Sequence, residues 1–256
     1  MHKNILMDIK FITDMPALLL DYKILVIGDL HIGLDYELYK SGFSLPPIIN
    51  KMEKRISKLI KETGSDKLIL LGDIKHNIPG ISFQEEREIP KFLKNLSKRA
   101  EVHVVPGNHD GNIQRLSPRG TKVHPRSGFR MGDFYFNHGH SWPGKDFPDS
   151  KVLVVAHSHP AVEFKDSLGY RHVEPCWLKS KLNRKKIEEK YRNKAHAKEA
   201  IVMPAFNPLI SGMPVNRKPE KSFIGPLMRS GIINLKNSDV YLLDGTHLGK
   251  VKNLKN

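Results

Sequence analysis

Lys23-Ile-Leu-Val-Ile-Gly-Asp-Leu-His31 decides how this chain is read: an apolar run ends at Gly28 and is followed by an acid and an imidazole two positions apart. Four more runs repeat the plan. Lys67-Leu-Ile-Leu-Leu71 leads into Gly72-Asp73, Val102-His-Val-Val105 into Pro106-Gly107-Asn108-His109-Asp110, Phe134-Tyr-Phe136 into Asn137-His138-Gly139-His140, and Val152-Leu-Val-Val-Ala156 into His157-Ser158-His159. Short runs rich in branched apolar residues read as buried strands. Ligand sites in open α/β sheets form beyond the carboxyl ends of strands, so the pattern predicts five strand ends converging on one spot. Side chains two apart on extended backbone project the same way, so Asp29 with His31, and His157 with His159, are each expected to grip one ion. Carboxylate, amide and imidazole donors without a thiolate suit Mn, Fe or Zn.

Working outward, Ile48, Ile49, Met52, Ile56, Leu59 and Ile60 fall at helical spacing between the first two runs, and Gly64 supplies a stop. Between the second and third, Ser82 and Glu85 make a capping-box pattern ahead of Ile89, Phe92, Leu93 and Leu96, with Pro90 expected to kink or restart the helix. This β-α-β-α-β order implies a largely parallel sheet at the front of the chain. Farther on, Val202-Met-Pro-Ala-Phe-Asn-Pro208 reads as a proline-rich connection. Asp244-Gly245 reads as the turn of a hairpin pairing residues 240–243 with 246–251. A second, mixed or antiparallel sheet is the expectation there.

Length and composition bound the answer further. The chain of 256 residues is long enough for one substantial core, so residues 1–256 are read as a single domain with a basic insertion around 179–200 and a C-terminal β-hairpin. Hydrophobic residues at 39% and charged residues at 27% exclude a disordered chain. No stretch approaches the roughly 18 apolar residues of a membrane span, and the N-terminal stretch lacks the layout of a signal peptide. The lone Cys176 has no thiol partner and reads as a small buried side chain, so a cytoplasmic location is expected. A formal net charge of +15, from 42 Lys plus Arg against 27 Asp plus Glu, points to an anionic partner. The excess is partly concentrated between Lys179 and Lys198, which reads equally as a solvated charged face and as a nucleic-acid contact surface.

In order, the blocks D-x-H, G-D, G-N-H-D, a later His and H-x-H resemble the calcineurin-like metallophosphoesterase superfamily over roughly residues 21–160. The resemblance implies an α/β fold of two packed mixed β-sheets flanked by helices, an αββα sandwich. It implies two divalent cations, Mn2+ ahead of Fe, Zn, Ni or Co. Asp29, His31, Asp73 and His159 would ligate one, and Asp73, Asn108, His138 and His157 the other, with Asp73 bridging. A hydroxide between the ions would attack phosphorus, and His109 would protonate the leaving oxygen. Asp110 is expected to accept the other N–H of that imidazole, with a plain turn residue as the alternative. His138 closes an apolar strand and is preferred to His140 as ligand; His140, His76 and Lys75 are assigned looser roles at the substrate. His103, His124, His172 and His247 lie outside the blocks and read as structural or exposed. The family places Gly where this chain has Ala156, a change that fits extended backbone and would be strained at positive φ. More narrowly, Gly28-Asp-Leu-His-Ile-Gly33, Leu71-Gly-Asp-Ile-Lys-His76 and Met203-Pro-Ala-Phe-Asn207 look like archaeal phosphoesterases related to the SbcD nuclease subunit.

The charge and the SbcD likeness favour a nucleic-acid substrate, with Trp177 and Tyr191 as candidate base-stacking residues. Core packing is the competing reading for Trp177. A small nucleotide or phosphomonoester is the alternative substrate, and an inert scaffold docking to an ATPase or helicase partner is a third reading. The sequence leaves the oligomeric state open.

Overall fold

The computed structural model describes residues 8–217 and 225–254; the N-terminal stretch read above begins outside them, with residues 1–7. The first sheet holds β1 (Ile9–Phe11), β2 (Leu18–Leu20), β3 (Ile24–Ile27), β4 (Lys67–Leu71), β5 (Glu101–Val105) and β6 (Lys122–Val123), in that order. The β1–β2 and β2–β3 pairs are antiparallel, while β3, β4, β5 and β6 run parallel. Crossovers between these strands carry the helices α1 (Leu34–Lys40), α2 (Ile49–Thr63), α3 (Phe83–Ser97) and α4 (Ile113–Leu116).

Alternation along the strands decides the layering. In β3, Leu25 and Ile27 pack with Met52, Ile56, Phe92 and Leu96 of the helices, whereas Ile24 and Val26 face the second sheet. Both faces are therefore dry, which is why the runs read as continuous apolar sequence. Helix α2 ends at Gly64, whose φ of 64° makes the left-handed stop expected of it. Helix α3 starts with the capping box predicted from Ser82 and Glu85. It then runs unbroken through Pro90, contrary to the expected kink or restart; Ile89, Phe92, Leu93 and Leu96 are buried on its sheet-facing side and hold the turn across the missing N–H.

The second sheet comprises β7 (Phe129–Met131), β8 (Phe134–Asn137), β9 (Val152–Val155), β10 (Pro160–Lys165), β11 (Arg171–Lys181), β12 (Glu199–Val202), β13 (Met213–Pro214) and the hairpin β14 (Asp239–Leu242) and β15 (His247–Lys250). It is mixed: β8, β9 and β12 run parallel, and β11 is antiparallel to β10, β12 and β14. Its inner face packs Phe134, Phe136, Val152, Val154 and Ile201 against the first sheet. Its outer face is covered by α5 (Arg184–Tyr191), through buried Ile187, and by α6 (Pro226–Arg229), through Leu227. Helices, sheet, sheet and helices make the αββα sandwich anticipated from the sequence. No described helix is long and apolar enough to cross a membrane.

The structure decides three points in the second half. The basic run is built into the second sheet: its first residues belong to β11, the next to α5, and the last lead through buried Ala195 and Ala197 into β12. Trp177 is buried between the sheets and stacks on Phe11 at 4.7 Å, so it presents no face to a base. Tyr191 is tied down as well, its hydroxyl donating to the Pro143 carbonyl at 2.9 Å and its ring edge-on to Phe147.

Candidate metal centre

Parallel pairing of β3 with β4, of β4 with β5 and of β8 with β9 brings all five polar strand ends to one place. The loops after β3 and β4 continue the ladder: Asp29 N–H donates to Gly72 O at 3.1 Å, and His31 N–H to Asp73 O at 2.8 Å. They do so in a different conformation from that expected. Asp29, His31, Asp73, His157 and His159 have φ of 57°, 41°, 49°, 68° and 40°, so these side chains project from left-handed residues and not from extended strand ends. Such a conformation costs a non-glycine residue about 1–3 kcal/mol and persists only where the surroundings over-determine it. Part of that restraint is Asn207, whose N–H donates to Asp29 O at 3.3 Å and whose Nδ2 donates to Leu30 O at 2.8 Å.

Two groups that combine a carboxylate with imidazoles lie close enough to hold a cation, with ligand atoms within 4.8 Å of one another: Asp29, His31 and His159, and Asp73, His138 and His157. Asp73 Oδ2 stands between them, 3.6 Å from His31 Nε2 and 3.3 Å from His138 Nε2. Each carboxylate uses one oxygen for the scaffold and offers the other. Asp73 Oδ1 accepts from His109 N–H at 2.9 Å, and Asp29 Oδ2 from His157 N–H at 3.2 Å. The His138 ring is aimed the same way: Nδ1 donates to Leu71 O at 2.9 Å, leaving Nε2 toward Asp73. Two glycines make room for this. A Cβ on Gly72 would lie 2.1 Å from His138 Nδ1, and a Cβ on Gly107 2.1 Å from Asp73 Oδ1. Ala156 needs no positive φ, and its methyl fills space that Gly28 leaves, 2.9 Å from where a Gly28 Cβ would stand.

The site's electrostatics follow from burying acids beside imidazoles. Burial pushes the His138 imidazole down, but Asp73 and Asp29 outweigh it and raise it to about 9. His159 is raised too, Asp29 overcoming its burial. Burial works to raise the two acids, and their imidazole neighbours hold both below the ordinary value. His31 and His157 go down to about 4, chiefly through burial.

Several expected roles change. The Asp110 carboxylate does not touch the His109 ring: Oδ1 accepts from Ile74 N–H at 2.9 Å and Lys75 N–H at 3.1 Å, and Oδ2 from Gly107 N–H at 2.8 Å. It ties two loops together. The His109 ring leans instead on the His76 carbonyl, 2.5 Å from Nδ1. Lys75 is buried, with its ammonium on the carbonyls of Asn77 and Gly80, so it is not available to a phosphate. His76 turns toward the ligand cluster, its Nδ1 3.2 Å from His31 Nδ1 and its Nε2 3.1 Å from Glu37 Oε2. With the Nε2 proton on Glu37, His76 accepts from His31 Nδ1–H and leaves the His31 Nε2 lone pair for a cation. The nitrogens of His31, His76 and His109 are also mutually close, but this all-imidazole group brings no carboxylate to offset a cation's charge. His140 packs 5.3 Å from the His138 ring, half-buried and outside both groups. Burial and the charges of His138 and His157 take it down to about 4.

The sequence reading missed Glu37 and Asn207. Asn207 was within reach, since it closes the quoted Met203–Asn207 block; Glu37 carried no signal beyond its place in a helix after the first block.

A four-layer sandwich with acids, an amide and imidazoles gathered at its strand ends defines a metal-dependent hydrolase. The profile of the calcineurin-like phosphoesterases matches residues 22–196, and the chain belongs to that family. It is a metal-dependent phosphoesterase. The nuclease MPE of Pseudomonas putida, known from its crystal structure, aligns with a TM-score of 0.54 at 18% identity over 93% of this chain and 97% of its own, a likeness of fold. Yfce, a phosphoesterase from E. coli, aligns at a TM-score of 0.39 and 14% identity over 89% and 97%. No curated protein matches the chain.

Proposed function

We propose that this chain hydrolyses phosphodiester bonds in nucleic acid with two divalent cations, Mn2+ foremost. One observation carries the two-metal reading. Five of the ten buried side-chain atoms without a hydrogen-bond partner among the described residues are Asp29 Oδ1, His31 Nε2, Asn108 Oδ1, His138 Nε2 and His159 Nε2. Among them His159 Nε2 faces Asp29 Oδ1 at 3.1 Å, and His138 Nε2 faces Asp73 Oδ2 at 3.3 Å; so many buried donor atoms turned to one place fit a cation. Asp29, His31, Asp73 and His159 would hold one ion, and Asp73, Asn108, His138 and His157 the other. When bound, such cations would supply Lewis acidity to phosphoryl oxygens and lower the pKa of a bound water.

The protein's own part is to orient and to move a proton. His109 is held by the His76 carbonyl on Nδ1, which leaves Nε2 to carry a proton to the leaving oxygen. The substrate assignment rests on the net charge of +15 and on the resemblance of three sequence blocks to SbcD-related phosphoesterases. The nuclease among the fold neighbours is consistent with it. An ATPase or helicase partner supplying a DNA clamp, and a cytoplasmic location, belong to the same proposal.

The test is Mn-dependent cleavage of end-labelled single- and double-stranded DNA, beside bis(p-nitrophenyl) phosphate and p-nitrophenyl phosphate, with Asp73→Asn as the blank. DNA cleavage absent from the blank is the expected result. Turnover confined to the small esters would remove the nucleic-acid assignment, and no turnover with any divalent metal would favour an inert scaffold.

A further inference from the structure

A cleft of about 560 Å³ opens against the ligand cluster, with His159 in its wall beside Arg55, Phe206, Arg171, His172 and Asp14. Its cations are not equivalent. Arg171 is engaged by buried Glu163, Nη1 to Oε1 at 2.5 Å, a carboxylate that also pairs with Arg217 at 3.5 Å, and His172 faces Glu174 at 3.8 Å while stacking on Phe164. Arg55 has no such partner: among the described residues no carboxylate comes within ion-pair distance, the exposed Asp14 of the same cleft included. The guanidinium is half-buried, lies 5.0 Å over the Phe206 ring and donates from Nη2 to Met15 Sδ at 3.1 Å. Burial pushes its pKa down, the direction expected of a cation short of both water and counter-charge.

Phe206 registers Arg55 to the reacting site. Its N–H donates to Gly28 O at 3.0 Å, one residue before Asp29, and Asn207 follows with its two bonds to the same loop. Arg55 therefore stands on a fixed platform relative to Asp29 and His31, with the rest of its planar fork unused, and such a fork matches the oxygens of a phosphate. We infer that Arg55 binds a second phosphate of the substrate, next along the chain from the one held at the metal centre. The ligand class is a nucleotide or oligonucleotide bearing a phosphate besides the scissile one. This rests on the phosphodiesterase reading above and extends it from the reacting phosphate to its neighbour.

The experiment compares thymidine 3′,5′-bisphosphate with thymidine 5′-monophosphate, binding each to the Mn-loaded protein by calorimetry. Arg55→Met keeps the packing on Phe206 and removes the charge; Arg55→Lys restores the charge without the fork. Wild type is expected to bind the bisphosphate at least about tenfold more tightly than the monophosphate, the range of a charge-assisted hydrogen bond. Arg55→Met should abolish that advantage with monophosphate affinity and metal content unchanged, and Arg55→Lys should recover part of it. A bisphosphate advantage that survives in Arg55→Met, or is missing from wild type, overturns the assignment. Loss of the phosphodiesterase reading shows separately, as no turnover of bis(p-nitrophenyl) phosphate by protein that binds both nucleotides.

Discussion

Replacing Gly72 by Ala tests whether the metal centre depends on the space this residue leaves. A Cβ there would lie 2.1 Å from His138 Nδ1 and 2.3 Å from its Cγ. Carbon contacts settle near 3.5 Å, so the imidazole must retreat by roughly 1.4 Å. A misplacement of about 1 Å in a catalytic site costs on the order of 100-fold in rate. Backbone strain is present as well, because Gly72 has a φ of 80°, and that costs about 1 kcal/mol in stability. Gly64→Ala separates the two effects: its φ is 64° but nothing lies within 4 Å of its missing Cβ, so it carries strain alone. The assay is Mn-dependent turnover of bis(p-nitrophenyl) phosphate with metal content measured in parallel. Gly72→Ala should lose about 100-fold in turnover and part of its metal, while Gly64→Ala should melt slightly lower and turn over normally. Normal turnover and full metal content in Gly72→Ala would refute the steric argument, and equal losses in both variants would assign the effect to strain.

Asp110→Asn should destabilise the protein by about 1–3 kcal/mol in urea unfolding, since an amide NH2 must then face a backbone N–H now bound by a carboxylate oxygen. Its turnover deficit should be the same for good and poor leaving groups; a deficit that shrinks with nitrophenolate would return Asp110 to the proton-transfer step. His109→Ala should keep its metals and be rescued in part by that leaving group, and loss of metal would make the residue a ligand. His124, paired with His103 Nδ1 at 2.8 Å, is held at about 4 by burial and then by the charges of His103 and Lys122. Its folded value lies below the unfolded 6.5, so its stabilisation is intact above pH 6.5 and is lost as the pH falls toward 4. With solvent screening at this half-exposed ring, His124→Gln should lose about 1 kcal/mol less than wild type between pH 7 and 5. Parallel urea curves for the two proteins at both pH values would show no such role for His124.

The five apolar runs, the amphipathic α2 and the capping box of α3 were legible because their signals are local: a short apolar run, a 3.6-residue period, and a serine three residues before a glutamate. The polar blocks were legible for a related reason, as each follows its strand directly in sequence. Strand β11 was not, because Arg171–Lys181 carries Pro175 and several charges and becomes a strand only when β10, β12 and β14 pair with it. Tyr191 was misplaced, and Trp177 left between stacking and core, for the same cause, since a basic neighbourhood in sequence says nothing about which side of the sheet a ring will face.

Sequence by itself determined the fold class, the donor types and the order in which they arrive, since strand periodicity and the residues at strand ends are written locally. Only the tertiary structure decided how the donors are aimed. Left-handed backbone at Asp29, His31, Asp73, His157 and His159 runs against local preference and stands only because distant groups bind it. Asn207 holds Leu30 across 177 residues of chain, and the His76 carbonyl, not the adjacent Asp110, takes the His109 ring. Each outcome depends on which backbone groups the packed sheets leave in reach, and no local pattern encodes that.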